Sequence, residues 1–210
     1  MKKTRIEWCD YTVNPIKGLC KHGCPYCYAN RMSKRFKWNP EVRLDMSVFN
    51  NIYKLPKGSK IFVCSTHDIM GNWIPDVWIK QIIDVAFQYP EYTFMYLTKN
   101  PIRYLDFNFY HNIWLGATYD GVNKGLDDFT IKIDNKFVSI EPLLADIENK
   151  FKFIANNSIE WLIVGGLSPK PVHKKEWVDK IIEFWKANNL PLFLKSNLHY
   201  PEILKQYPNI

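Results

Sequence analysis

Short apolar runs alternate with helical patterns along most of this chain. Most of the runs are β-branched or aromatic on both faces, which is typical of strands that are buried in a parallel sheet. The six runs are Lys60–Ser65, Thr93–Leu97, Ile113–Ala117, Lys136–Ile140, Glu160–Val164 and Pro191–Leu194. With no repeat and no Gly/Ser-rich linker between them, the pattern predicts a single α/β domain over residues 1–210.

Segments with helical spacing of apolar residues lie between these runs. The predicted helices are Tyr28–Phe36, Asp76–Gln88, Asn100–Asp106 and Lys174–Asn188. In the second of them the predicted apolar stripe comprises Val77, Ile79, Ile82, Ile83 and Phe87. Strands that alternate with helices indicate right-handed βαβ units. An eight-stranded barrel typically takes about 250 residues, so we expect a partial (β/α)6-type TIM barrel.

Polar residues and glycines follow one apolar run after another. In parallel α/β folds, the carboxyl ends of the strands are where ligands bind and chemistry occurs. We therefore expect a site built from Ser65, Thr66, His67, Asp68, Thr98, Lys99, Thr118, Asp120, Glu141, Gly165, Gly166, Lys195, Ser196 and Asn197.

Composition narrows the class of protein without deciding the function. The chain has 210 residues, 47% of them hydrophobic, and a net charge of +7. This charge is compatible with binding to nucleic acid or another anion, and equally with a lysine-rich surface that keeps the protein in solution. No apolar stretch approaches the roughly 20 residues of a membrane helix, and the first residues lack the apolar core of a signal peptide. We expect a cytoplasmic protein.

Three of the five cysteines lie in the run GLCKHGCPYCYANRM, with the spacing C-x3-C-x2-C. In a reducing compartment this clustering favours metal binding or catalysis over disulfides. Thiolates of Cys20, Cys24 and Cys27 could ligate an iron–sulfur cluster and leave one iron open. Alternatively, they could hold structural zinc, with Cys9 or His22 as the fourth ligand.

The cysteine run, with the aromatic Tyr26 before its last cysteine, resembles the motif of the radical S-adenosylmethionine (SAM) enzymes. Further segments resemble the phage Gp37/Gp68-like proteins, a family related to those enzymes. The segments are IEWCDYTVNPIKGLCKHGCPYCYANRM, IFVCSTHDIM, FMYLTKNPIR, IWLGATYDG with FVSIEPLL, and WLIVGGLS followed by NLPLFLKSN. This resemblance implies a radical SAM-like partial barrel and a [4Fe–4S] cluster on the three cysteines. It also implies SAM as second cofactor and an electron donor such as flavodoxin or ferredoxin.

SAM presents an ammonium, a carboxylate, a ribose and an adenine, and each group indicates a type of partner. Asp68 or Glu141 could accept from the ammonium, and Lys99 could meet the carboxylate. The candidates for neutral hydrogen bonds to SAM are Ser65, Thr66, Thr98 and Thr118. Gly165 and Gly166 could let the backbone approach SAM closely. Tyr26 is the candidate for a contact with adenine. Cys9 is either a buried core residue or a donor of a hydrogen atom in the active site.

Two functions remain open at this point. The first is a radical SAM enzyme that cleaves SAM to a 5′-deoxyadenosyl radical, which acts on an unidentified substrate such as a nucleic acid or nucleoside. The second is a zinc-stabilised basic α/β module that binds nucleic acid without catalysis. If the partner is a nucleic acid, the residues expected to contact its phosphates are Arg31, Lys34, Arg35 and Lys37, which follow the last cysteine of the run; without such a partner they form a solvated basic face.

Overall fold

The structure, a computed structural model, describes residues 3–123 and 125–209. The chain forms two compact units. The first contains the residues up to Thr98 together with Arg103–Trp114, and the second contains Lys99–Ile102 together with the residues from Leu115 onward. Among the described residues, none of the helices combines the length and the apolar character needed to cross a bilayer.

The strands of the first unit are β1 (Tyr11–Val13), β2 (Ile16–Lys17), β3 (Arg43–Leu44), β4 (Lys60–Val63) and β5 (Thr93–Thr98). Strand β4 lies between β1 and β5 and is parallel to both, with Val63 opposite Val13 on one side and Tyr96 on the other. Strands β2 and β3 form a separate antiparallel pair. The apolar-run pattern did not predict β1, because three residues are too few to give a periodic signal.

The helices of the first unit are α1 (Tyr28–Phe36) and α2 (Asp76–Gln88), with the predicted bounds. Helix α2 buries Ile79, Ile82 and Ile83 against the unit's core. Val77 and Phe87 are 56% and 67% exposed, so their predicted place in the buried stripe is wrong. Val77 lies two residues, or about 200°, away from Ile79 around the helix, and Phe87 packs on the surface beside Tyr110.

The second unit is built on four parallel strands, β6 (Ile113–Tyr119), β7 (Lys136–Ile140), β8 (Trp161–Val164) and β9 (Leu192–Leu194). The first two residues of β6 belong to the first unit. The four strands pair in this order, with Thr118 opposite Ser139 and Val164 opposite Leu194. Every residue of these strands is buried. Its α-helices are α3 (Phe151–Asn156), which the sequence did not predict, and α4 (Lys175–Asn188).

The predicted α/β class is confirmed, with one change in strand number and one in helix type. All six apolar runs contain a parallel strand, and β1 adds a seventh among the described residues. The helix expected over Asn100–Asp106 is a 3₁₀ helix over Pro101–Asp106. The regular six-unit alternation was therefore too simple, because some crossovers are made by short 3₁₀ turns.

Asn112 ties the end of α2 to the start of β5. Its side-chain amide lies 3.0, 3.2 and 3.0 Å from the carbonyls of Ala86, Tyr89 and Tyr92. We expect Asn112→Ala to lower the free energy of unfolding by about 3 kcal/mol, because it leaves buried carbonyls without a donor. Urea unfolding followed by circular dichroism measures this. The exposed Asn108→Ala is the control, and an equal loss in both variants would contradict the role of Asn112.

Candidate functional site

The cysteine loop is held at both ends in the first unit. At its start, Leu19 donates a backbone hydrogen bond to Pro40 (3.1 Å) beside the β2–β3 pair. Gly18 adopts a φ of +93° with the Glu41 backbone packed where a Cβ would stand, so glycine is required there. At its end, the Tyr28 hydroxyl donates to the Ser65 carbonyl at 2.6 Å. The loop is thereby fixed beside the carboxyl end of β4.

Cys20, Cys24 and Cys27 line one cavity of about 180 Å³, which Trp38 and Thr66 also border. All three side chains are partly exposed. Within the described residues, no three His, Cys, Asp or Glu side chains are grouped so as to hold a metal ion. A single zinc needs every sulfur about 2.3 Å from one point, whereas the thiolates of a [4Fe–4S] cluster bind separate irons. Three thiols beside one cavity are the donor set that such a cluster would use.

Asp68 joins the cysteine loop to the ends of two strands. It is 7% exposed, and its Oδ2 lies 2.6 Å from Nε2 of His22, in the middle of the loop. Its Oδ1 accepts hydrogen bonds from the Thr98 hydroxyl at the end of β5 (2.7 Å) and from the Met70 amide (2.9 Å). Both carboxylate oxygens are thus engaged within the first unit, which makes Asp68 a structural anchor for the loop.

An aromatic cluster packs against this anchor. The Trp73 ring lies edge-on to His22 and His67, with centroids 5.0 and 5.9 Å apart. His67 is 6% exposed, and burial lowers its pKa, so it is neutral at physiological pH. Burial likewise raises the pKa of the Cys20 thiol and that of Cys64 to about 12. Cys64 is therefore an inert core thiol, as its place in an apolar run suggested.

Asn14, at the end of β1, organises two of the predicted SAM-binding residues. Its side-chain oxygen accepts from the Ser65 hydroxyl (3.2 Å), the Thr66 amide (3.1 Å) and the Thr66 hydroxyl (3.1 Å). Ser65 and Thr66 therefore lie together at the carboxyl edge of the first unit. Sequence reasoning missed Asn14 because it missed β1, although the same pattern of a polar residue after an apolar run is present in YTVN.

The second unit carries two ion pairs at the ends of its strands. Lys99 lies 3.8 Å from the carboxylate of Asp120, which follows β6 and is buried. Glu141, after β7, pairs with Lys195, after β9. Thr118 is also buried at the end of β6. These four charged groups present two cations and two anions on one unit, which suits a zwitterionic ligand.

The two consecutive glycines after β8 make room for this arrangement. A Cβ at Gly165 would lie 3.0 Å from the Lys195 side chain and 3.1 Å from the Glu141 carboxyl carbon. Gly166 donates to the side-chain oxygen of Asn197 (3.1 Å) and accepts from its amide (2.7 Å). Asn197 therefore clamps the ends of β8 and β9 together, a role that only the tertiary structure shows.

Of the predicted SAM-contacting residues, Thr66 borders the cysteine cavity, and neither Tyr26 nor the candidate hydrogen-atom donor Cys9 does. Tyr26 is half-buried on the loop but does not border the cavity. Cys9 is 7% exposed, and its thiol lies 4.0 Å from the Ile6 carbonyl. A larger open groove of about 470 Å³ between α2 and the 3₁₀ turn Met46–Phe49 contains no cysteine and none of the predicted site residues.

Comparison with known proteins places this geometry in a wider context. A family model described as a protein of unknown function, DUF5131, matches residues 3–205. The chain belongs to that family. No curated protein matches it significantly. Among solved structures it is similar to spore photoproduct lyase complexed with dinucleoside spore photoproduct, with a TM-score of 0.63 and 12% identity, over 92% of this chain and 78% of that one.

The structural likeness shows the fold. Spore photoproduct lyase is a radical SAM enzyme of the TIM-barrel type, and the two chains share their α/β architecture despite their low identity. The predicted α/β class built on parallel strands is confirmed at this level. Reaction, cofactors and substrate do not follow from a likeness of fold.

The link between Asp68 and His22 should control how firmly the cysteine loop is held. We expect His22→Phe to speed tryptic cleavage after the exposed Lys21 by about tenfold, because a lost hydrogen bond to a charged group is worth roughly 1.5–3 kcal/mol. Asp68→Ala should have a larger effect. Cleavage after the exposed Lys57 is the internal reference, and the exposed Asp106→Ala is the control. Cleavage after Lys21 at the control rate in His22→Phe would refute the link.

Proposed function

We propose that this protein is a radical SAM enzyme in which Cys20, Cys24 and Cys27 hold a [4Fe–4S] cluster. The observation that carries the proposal is the cavity lined by all three thiols in a chain with a radical SAM-like fold. Three thiolates leave one iron of such a cluster open for another ligand. When bound and reduced, the cluster supplies the electron that cleaves SAM to methionine and a 5′-deoxyadenosyl radical.

The residues of the first unit position the ligand loop. Asp68 fixes His22 between the first two cysteines, and the Trp73 ring packs edge-on against that histidine. Thr66 borders the cavity and is held by Asn14, so we assign it and Ser65 to polar groups of SAM. Because both oxygens of Asp68 already accept hydrogen bonds within the first unit, we favour another main acceptor for the SAM ammonium.

The residues of the second unit supply that acceptor. We assign the SAM ammonium to Glu141 and the SAM carboxylate to Lys99. In the structure Glu141 is paired with Lys195 and Lys99 with Asp120, and the charged groups of SAM would join these ion pairs. Gly165 leaves room for the Glu141–Lys195 pair, and we keep Gly165 and Gly166 as the candidates for close backbone approach by SAM. Thr98, Thr118 and Tyr26 remain assigned to neutral contacts with SAM, and Cys9 remains a candidate hydrogen-atom donor.

The substrate class that we favour is a nucleic acid or nucleoside. The structural neighbour was solved with a dinucleoside photoproduct, and the net charge of +7 favours an anionic partner. Neither observation identifies the bond that reacts. Abstraction of a hydrogen atom from a sugar or base is the corresponding reaction class.

Replacement of any one loop cysteine by alanine should abolish cluster binding. We expect wild-type protein, reconstituted anaerobically, to hold about four iron and four sulfide per chain and to absorb visible light, whereas Cys20→Ala, Cys24→Ala and Cys27→Ala hold little of either. Cys64→Ala, at a buried cysteine outside the loop, is the control. One tightly bound zinc without sulfide in the wild type would instead support the nucleic-acid-binding module, and full iron and sulfide in all three variants would refute the ligand assignment.

Glu141→Gln should weaken SAM binding without loss of the cluster. Removal of a charge-assisted hydrogen bond costs roughly 1.5–3 kcal/mol, so we expect the dissociation constant of SAM to rise by about tenfold or more. Equilibrium dialysis of the reconstituted protein against SAM measures this, with iron content as the check on cluster loading. The exposed Glu183→Gln on α4 is the control. Unchanged affinity in Glu141→Gln would remove Glu141 from the site.

A further inference from the structure

Helix α1, directly after the cysteine loop, buries its small residues and exposes its large apolar ones. Its buried residues are the small Ala29 and Ser33. Its large apolar residues are exposed: Tyr28 by 45%, Met32 by 38% and Phe36 by 57%. These three recur every four residues and so form one stripe along the helix. Helices α2 and α4 instead bury most of their large apolar residues, although α2 exposes Val77 and Phe87 at its two ends. The continuous exposed stripe on α1 therefore indicates a surface for a partner.

Basic side chains flank this stripe without acidic neighbours in sequence. They are Arg31, Lys34, Arg35 and Lys37, all exposed. Residues 21–40 contain no Asp or Glu, and none of the four basic groups forms an ion pair within the part of the chain that the structure describes. The stripe and its basic rim together, hereafter the α1 face, are therefore complementary to an acidic surface with an apolar centre.

The position and size of the α1 face indicate what such a partner would do. Cys27 is the N-cap of α1, so the face begins next to a proposed cluster ligand. Nine residues of helix span only about 13 Å, which suits a small, transient interface. Interfaces of electron-transfer proteins are of this kind, below about 1,200 Å², and their encounter is accelerated by opposite charges.

We propose that the α1 face docks an acidic one-electron carrier protein that reduces the cluster, an inference that rests on the proposed function. One electron leaves the reduced carrier and enters the oxidised cluster, and no bond is formed or broken. Single-stranded nucleic acid fits the face less well. The guanidinium of Arg35 covers the Phe36 ring at 5.3 Å, Met32 has no ring, and the Tyr28 hydroxyl is fixed to Ser65, so the exposed Tyr28 ring is the one remaining candidate on the stripe for base stacking.

Stopped-flow reduction of the reconstituted protein by flavodoxin hydroquinone tests the proposal. We expect the double variant Arg31→Glu with Arg35→Glu to be reduced about tenfold or more slowly, and added salt to slow the wild type. Met32→Gln with Phe36→Ser should also slow the reaction. Lys57→Glu with Lys80→Glu, an equal charge change at exposed residues of the same unit, should stay within about twofold of wild type. Dithionite should reduce all variants equally.

The outcomes separate this inference from the proposed function. If the protein contains no cluster for dithionite to reduce, the proposed function fails and the inference with it. If dithionite reduces the cluster but charge reversal on the α1 face leaves the flavodoxin rate unchanged, the inference alone is wrong. Loss of single-stranded oligonucleotide binding in the Arg31/Arg35 variant, with an unchanged flavodoxin rate, would assign the face to nucleic acid and overturn the proposal.

Discussion

Parallel pairing of short, largely buried strands is the constraint on which each unit depends. Strands of three to seven residues leave their carboxyl ends at one edge, in register from Val13 to Val63 to Tyr96 in the first unit and from Ile140 to Val164 to Leu194 in the second. Backbone groups beyond those ends need new partners. Polar side chains supply them there, so the same edge that completes the fold becomes the place where chemistry can be assembled.

The two units use that edge in different ways. In the first, neutral and acidic groups serve to hold a loop: Asn14 gathers Ser65 and Thr66, and Asp68 reaches His22. In the second, opposite charges are paired at strand ends, with Gly165 leaving the space that the Glu141–Lys195 pair occupies. The first unit thus uses its strand ends to hold the cysteine loop, and the second uses them to pair opposite charges.

The two sides of helix α1 lie in different environments, one packed against its unit and one exposed. Small residues on one side let the helix pack closely against its unit, which keeps Cys27 beside the strand ends. The large apolar residues of α1 then face outward, so packing in the core does not explain their presence. An exposed apolar stripe of this kind favours aggregation unless a partner covers it. The surrounding basic side chains oppose aggregation while the stripe is uncovered.

Much of this protein was determined by sequence alone. Continuous apolar runs identified six of the seven parallel strands among the described residues, helical spacing gave the bounds of α1 and α2, and the cysteine spacing located the candidate metal loop. These features are local, and local side-chain patterns encode them directly.

Tertiary structure decided the features that depend on partners distant in sequence. Sequence ranked Asp68 with Glu141 as an acceptor for SAM, and only the tertiary structure shows that its carboxylate also contacts His22 and Thr98, 46 and 30 residues away. Strand β1, too short to show a period, is fixed only by pairing with β4. Hydrogen bonds across such separations leave no periodic trace in the chain, because the fold alone brings their donors and acceptors together.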